Sequence, residues 1–183
     1  MLLFQVILAW VYSHVLEHIL HRYLLHNPKR KRFFKDHFAS HHKTSRKNLM
    51  IDEKYCGPLD IKNDPEIKGL LALFVLHAPV FFLSPTAYIT LLLCGLSYYL
   101  QHRWAHQSHD FARKFAPWHY DHHMAPDQKC NWGVRLPFLD YLLQTRKHYK
   151  NTKNEYVKFI MQRVAYERRT HEARSCCDTS EEH

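Results

Sequence analysis

From the N-terminus onward, apolar blocks alternate with strongly polar stretches. Residues 1–26, MLLFQVILAWVYSHVLEHILHRYLLH, are apolar as far as Val11, and histidines and Glu17 then enter what still has a helical pattern. Pro28 marks the end of that helix, because proline disfavours helix in the residue before it. The segment is long enough for a bilayer core, which takes ~20 residues. A second block, 69–106, holds two apolar runs on either side of LSPT at 83–86. Ser-Pro is a turn signal, so these runs predict a helical hairpin turning at Ser84–Pro85, each arm short or tilted for a span. The competing reading is the buried core hairpin of a soluble helical protein. Residues 154–169 place Tyr156, Phe159, Ile160 and Val164 on one side of a helix and charges on the other. The pattern predicts an all-α protein: an integral membrane anchor of about three apolar helices, including the short hairpin, under a helical cap. It divides into residues 1–150, an amphipathic helix over 151–171, and a polar, disordered tail over 172–183.

The length suits one domain, typically ~100–200 residues. The mean hydropathy is negative at -0.46, an average that hides the apolar blocks. The formal net charge of +9 suits a polyanion, either nucleic acid or an anionic membrane face. Eight Lys/Arg lie between Lys29 and Lys47 against one acid, Asp36. That run adjoins a predicted membrane helix, so a lipid-facing stretch is the better reading and no nucleic-acid partner is expected. The turn near residue 84 has no Lys or Arg, whereas the other ends of the apolar helices are rich in them. By the positive-inside rule those basic ends, and the histidines beside them, face the cytoplasm. The five cysteines form no CxxC pair, so neither a zinc ribbon nor a disulfide framework is implied, and a reducing compartment fits. The N-terminus lacks a basic n-region and a small-x-small cleavage site and reads as a retained helix.

Histidine changes the picture most, with 17 in 183 residues. Four groups form: His14, His18, His21 and His26; His37, His41 and His42; His102 and His106; and His119, His122 and His123. Spacings of three and four put side chains on one helix face, and neutral imidazole is the commonest metal ligand. A lone histidine in mid-hairpin, His77, reads instead as a hydrogen-bonded packing residue. His109, His148, His171 and His183 read as solvent-facing. His14 and His18 fit either chelation or a supporting role. The ten remaining, His21, His26, His37, His41, His42, His102, His106, His119, His122 and His123, read as metal ligands. Ten nitrogens exceed what one ion takes, so two metals are natural. Oxidising a hydrocarbon C–H bond needs a redox metal such as iron, and two histidine-bound metals at the mouth of an apolar hairpin suit oxygen chemistry beside a lipid chain. Glu17, Asp36, Asp121 and Asp127 are candidates to orient the rings from behind, and Phe81, Phe82, Tyr98 and Tyr99 are candidates to line a substrate pocket.

Taken in order, these stretches resemble the fatty acid hydroxylase / sterol desaturase superfamily of membrane di-iron oxygenases. EHILHRYLLH resembles its E-x3-H-R-x3-H segment through Glu17, His21, Arg22 and His26. HFASHH resembles its H-x2-3-H-H box, although H-x2-H-H is more usual than the H-x3-H-H seen here. HRWAH and WHYDHH resemble its H-x3-H and closing H-x2-H-H boxes. NWGVRLPFLDYLLQT resembles the segment that follows, through Asn131, Gly133, Pro137, Asp140 and Thr145. The match covers about residues 10–146, and the layout is most similar to the fatty acid 2-hydroxylase branch. The resemblance implies a membrane-bound oxidoreductase of lipid biosynthesis that hydroxylates a lipid or fatty-acyl chain with O2. It implies two iron ions, or zinc in a purified form, with Glu17, His18, Asp121 and Asn131 supporting the ligands. The metal site would face the cytoplasm, from the endoplasmic reticulum in a eukaryote or the inner membrane in a bacterium. The chain has no heme or flavin segment, so electrons would come from an external donor of the cytochrome b5 or ferredoxin type. A lipid, sterol or carotenoid desaturase or oxidase on the same scaffold is the alternative, and a non-catalytic zinc-binding membrane protein is a second.

Overall fold

The structure, a computed structural model, describes residues 1–178. It is all-helical, with no strand among the described residues. Helix α1 (Leu2–Leu25) ends in a π-helical turn over Leu20–Leu25. Helix α2 covers 32–47 and is π-helical through Lys35–His42. The hairpin follows as α3 (Pro65–Leu83) and α4 (Pro85–Gln107). Short helices α5 (His109–Phe115), α6 (Pro117–Met124) and α7 (Phe138–Leu142) build the cap, and α8 (Lys153–Asp178) closes the described chain.

Helix boundaries follow local chemistry. The hairpin turns at Ser84, whose backbone is extended (φ -157, ψ 95) and whose hydroxyl accepts from Ala87 N at 3.2 Å, satisfying a backbone donor that the first helical turn leaves free. Asp64 caps α3 in the same way, accepting from Glu66 N at 2.8 Å. Two stretches, Leu2–Leu25 and Pro65–Leu83, are long and apolar enough to cross a membrane. The third apolar helix of the sequence reading, α4, is not in that class. It carries Tyr88, Tyr98, Tyr99 and Gln101, and both α1 and α3 pack against it.

At the C-terminus, α8 extends past the expected boundary at 171 to Asp178, and 179–183 of the expected tail lie outside the described residues. Its amphipathicity also runs differently from the expected stripe. Tyr156, Ile160 and Val164 are exposed, while Phe159 packs on His109 at 5.3 Å between ring centroids. Long polar side chains face the cap instead: Lys158 Nζ donates to Met124 O at 2.6 Å, and Gln162 Nε2 donates to Arg46 O.

One ion pair ties the first helix to the loop before α7. Arg135 Nε donates to Glu17 Oε2 at 2.6 Å, with both side chains buried, and Glu17 Oε1 also accepts from Val134 N at 2.6 Å and Arg135 N at 3.1 Å. Breaking a buried pair from one side leaves a charge without a partner, at a cost of about 3–5 kcal/mol. Glu17→Ala is therefore expected to lower the unfolding temperature in detergent markedly. The double variant Glu17→Ala/Arg135→Met should recover part of that loss, which a thermal melt followed by circular dichroism would show.

Candidate metal centre

The local helix geometry sets which histidines can meet. A π-helix brings residues five apart onto one face. His21 and His26 have that spacing across the first π-turn, where His26 N donates to His21 O at 3.2 Å. His37 and His42 have it across the second. The additional residue in HFASHH relative to the usual box is thus absorbed by the wider turn. On the α-helical segments, His102 with His106 and His119 with His123 use the ordinary four-residue spacing.

The side chains converge in two groups. His21, His26, His37, His42 and His122 form the first, and His41, His102, His106 and His123 the second, with donor nitrogens in each group within 4.8 Å of one another. His119 joins the second group through His106, their Nε2 atoms 3.0 Å apart. All ten histidines read as ligands are therefore brought together, His37 included. The consecutive pairs His41–His42 and His122–His123 each give one imidazole to either group, and the His42 and His123 rings stack at 4.0 Å where the groups abut.

Hydrogen bonds at the back of the rings fix their tautomers. His21 Nδ1 donates to Trp132 O at 2.7 Å, His122 Nδ1 to Cys130 O at 2.6 Å and His106 Nδ1 to Met50 O at 2.8 Å. His42 Nδ1 donates to Gln128 Oε1 at 2.8 Å and His41 Nδ1 to Asp52 Oδ2 at 2.8 Å, while His102 Nδ1 stands 2.7 Å from Glu66 Oε1 and 3.3 Å from Tyr55 OH. With the proton held at Nδ1, each Nε2 presents a bare lone pair. In the first group the Nε2 atoms lie 3.0 Å (His21–His37), 3.3 Å (His37–His42), 3.1 Å (His42–His26) and 3.1 Å (His26–His122) apart, so that His37 and His26 stand within hydrogen-bond reach of their neighbours' lone pairs. In the second, the Nε2 atoms of His41, His102 and His123 are buried with no hydrogen-bond partner. Nitrogen donors about 2.1 Å from a common ion and at right angles to each other lie about 3 Å apart. The donor set and its spacing fit a divalent transition metal in each group.

Electrostatics points the same way. Burial, reinforced by the neighbouring imidazoles, holds His37, His41, His42, His119, His122 and His123 well below the usual imidazole range. Burial and then His21 bring His26 down to about 2. The rings are kept neutral, the form that binds metal.

The expected supporting residues act elsewhere. Glu17 pairs with Arg135, and Asp36 with Arg32 at 3.7 Å. Asp121 pairs with Arg146 at 2.7 Å and accepts from Lys150 N at 2.7 Å, and Asp127 pairs with Lys147 at 2.6 Å. None of the four hydrogen-bonds a ligand imidazole. His18 is buried with both ring nitrogens unpaired, and His14 packs edge-on against Trp10 and Phe138; neither belongs to a metal group. Asn131 does act at one remove. Its backbone adopts φ 58, a left-handed conformation asparagine tolerates, between the two carbonyls that accept from His122 and His21. Its side chain holds that turn by accepting from Lys147 N at 2.8 Å and donating to Lys147 O at 2.9 Å. Gly133 is required nearby, since a Cβ there would stand 2.2 Å from Leu136 O.

The acids behind His41 and His102 are Asp52, in the connection after α2, and Glu66, in the first turn of α3. Tyr55 from the same connection donates to Glu66 Oε2 at 2.7 Å and stacks on His106 at 5.5 Å. The expected solvent-facing His109 is half-buried against Tyr120 and Phe159, while His148 is exposed. The side chain of His171 and all of His183 lie outside the description. His77 donates from Nδ1 to Leu73 O at 2.7 Å and accepts at Nε2 from Tyr12 OH at 2.8 Å, as a packing histidine should.

A cavity of about 600 Å³ leads to the first group and the edge of the second. It runs between α1, α3 and α4 with leucine and phenylalanine walls, reaching His21, His37, His41 and His102 at one end and His77 and Tyr88 at the other. From Tyr88 to His102 it follows about 21 Å of helix rise. Tyr98 lines it as expected, whereas Phe81, Phe82 and Tyr99 do not; Phe82 faces outward at 87% exposure. No family model, curated protein or solved structure matches the chain.

Two outcomes are expected. Elemental analysis of the purified protein should find two metal ions per chain, falling towards one in His26→Ala and in His102→Ala, whereas Asp52→Asn should weaken metal affinity about 10–100-fold. The pH dependence has a definite sign. Below an ordinary histidine pKa near 6.5, the unfolded chain takes up protons that the folded imidazoles refuse, so stability is full above that pH and lost as pH falls through it. Melting curves of chelator-treated protein should shift down between pH 7.5 and 5.5.

Proposed function

We propose that this chain is a membrane-embedded, two-metal oxygenase that hydroxylates a lipid or fatty-acyl chain using O2 and electrons from a separate donor protein. One observation carries the reading: two imidazole groups, buried but for His26 and His37, stand at one end of an apolar cavity beside two helices long enough for a bilayer. The order of the histidine boxes and their resemblance to the fatty acid hydroxylase / sterol desaturase superfamily support it. Leu2–Leu25 and Pro65–Leu83 would be the spans, with α4 between them and the metal centre on the basic, cytoplasmic side.

Bound in the two groups, a pair of iron ions would supply the reduction of O2 and the removal of hydrogen from an unactivated C–H bond. The chain's own residues do the rest. His21, His26, His37, His42 and His122 hold one ion, and His41, His102, His106, His123 and His119 the other. The carbonyls of Met50, Cys130 and Trp132, with Gln128, Asp52 and Glu66, keep the ligand protons at Nδ1 and away from the reacting side. The apolar walls accept an extended chain and lay it past His21, His37 and His102. Five donors in a group exceed the four of a closed structural zinc site, and a cavity reaching the ligands serves no purpose in metal storage. Hydroxylation and desaturation share the first hydrogen abstraction, so the product decides between them.

Cells expressing the chain, compared by untargeted lipid mass spectrometry with cells expressing His122→Ala, should accumulate lipids heavier by one oxygen only with the intact histidine. Lipids lighter by two hydrogens would make the chain a desaturase. No difference, with a donor supplied and the protein present in the membrane fraction, would leave a structural zinc protein.

A further inference from the structure

The segment over 136–143 carries a surface that the metal centre does not use. Leu136, Tyr141, Leu142 and Leu143 are exposed, Leu142 at 73%. The segment's single charge, Asp140, is fully buried and turned inward, accepting from Trp132 N and Gly133 N at 2.8 Å and from Thr145 Oγ1 at 2.6 Å. Four large apolar side chains on a few residues form a patch of the kind that marks a partner or a membrane.

Two observations identify the occupant. The first is depth. Phe138 of α7 stacks on Trp10 of α1 at 5.6 Å with an interplanar angle of 13°, and meets His14 edge-on at 5.1 Å. Trp10 stands about 13 Å along the helix before Ile19, well within the apolar stretch Leu2–Leu25. The patch therefore continues the exposed apolar surface of α1, where Leu3, Ile7 and Val11 also face outward.

The second is the hydrogen bonding of the loop that leads into α7. The loop is buried beneath the patch, and backbone shut off from water must find its partners within the protein. From Asn131 to Arg135 each backbone N–H donates to a protein acceptor: Thr145 O, the two Asp140 oxygens and Glu17 Oε1. Val134 O accepts from both Trp118 Nε1 at 2.7 Å and Gln101 Nε2 at 3.1 Å, and Arg135 O accepts from Gln101 Nε2 at 3.1 Å. Three side chains from three other helices are committed to this backbone. Exposed Lys147 follows four residues after Leu143, as a headgroup-facing position would.

We propose that 136–143 is a re-entrant wedge that inserts Leu136, Tyr141, Leu142 and Leu143 among the lipid chains of the leaflet nearest the metal centre. The proposal rests on the reading of α1 as a membrane span. The wedge makes the cap a partly membrane-embedded body and seats the turn that orients His21 and His122 at the bilayer surface.

A photo-crosslinking amino acid, benzoylphenylalanine, placed at position 142 of the full chain in phosphatidylcholine/phosphatidylglycerol nanodiscs tests this. Position 76 on α3, where Leu76 is 71% exposed, serves as the anchor control, and exposed Asn154 at the start of α8 as the water control. Mass spectrometry should find phospholipid adducts at 142 with a yield like that at 76, and a loss of adducts at 154. Adducts at 76 without any at 142 would overturn the wedge and leave the anchor standing. Crosslinks from 142 to a second copy of the chain would make the patch a protein interface and overturn it too. An absence of lipid adducts at both 76 and 142 would remove the membrane anchor and the wedge together.

Discussion

The convergence of ten imidazoles on one small volume is the constraint on which the structure depends. In the first group their Nε2 atoms stand 3.0–3.3 Å apart. Rings from distant parts of the chain reach such spacing only where the fold positions each of them. The holding is distributed. Backbone carbonyls at Met50, Cys130 and Trp132 and acceptors at Asp52, Glu66 and Gln128 each fix one ring. Those acceptors are fixed in turn, as when Tyr55 bonds Glu66 and Asn131 bonds Lys147. Only the folded chain brings these nitrogens together, so metal binding and folding are expected to be linked.

The helices and the histidines that converge were readable because they rest on local rules. Apolar runs of bilayer length, a Ser-Pro turn and histidines near helix ends all leave marks within a few residues. The π-turns were less obvious, although spacing offered a clue: His21/His26 and His37/His42 are five apart, a separation an α-helix does not bring together. The supporting acids were out of reach. Asp52 and Glu66 sit in a segment without periodicity, and nothing near them in the chain announces that they end behind His41 and His102. Glu17 illustrates the converse. Its place beside the first histidines suggested a ring partner, yet its carboxylate bonds a loop more than a hundred residues away. A carboxylate can serve any donor that tertiary structure brings to it, and sequence does not say which.

The loop from Cys130 to Arg135 joins the two halves of the molecule. Its carbonyls orient two ligands, its amides are taken by Asp140 and Glu17, and its Gly133 admits the close approach of Leu136 O. An alteration in the apolar helix at Glu17 is thereby transmitted to His21 and His122 through one short stretch of backbone.

The paired histidines have a further consequence. Because His41 and His42, and likewise His122 and His123, are divided between the groups, the separation of the two centres is spanned twice by a single peptide unit, with consecutive Cα atoms about 3.8 Å apart. Packing can drift as helices slide, but covalent geometry does not. A shift of α2 or α6 carries one donor of each group with it, so thermal motion moves the two centres together more readily than it separates them. The interval between them behaves as a bond-length standard built into the chain, insensitive to the fluidity of whatever surrounds the helices.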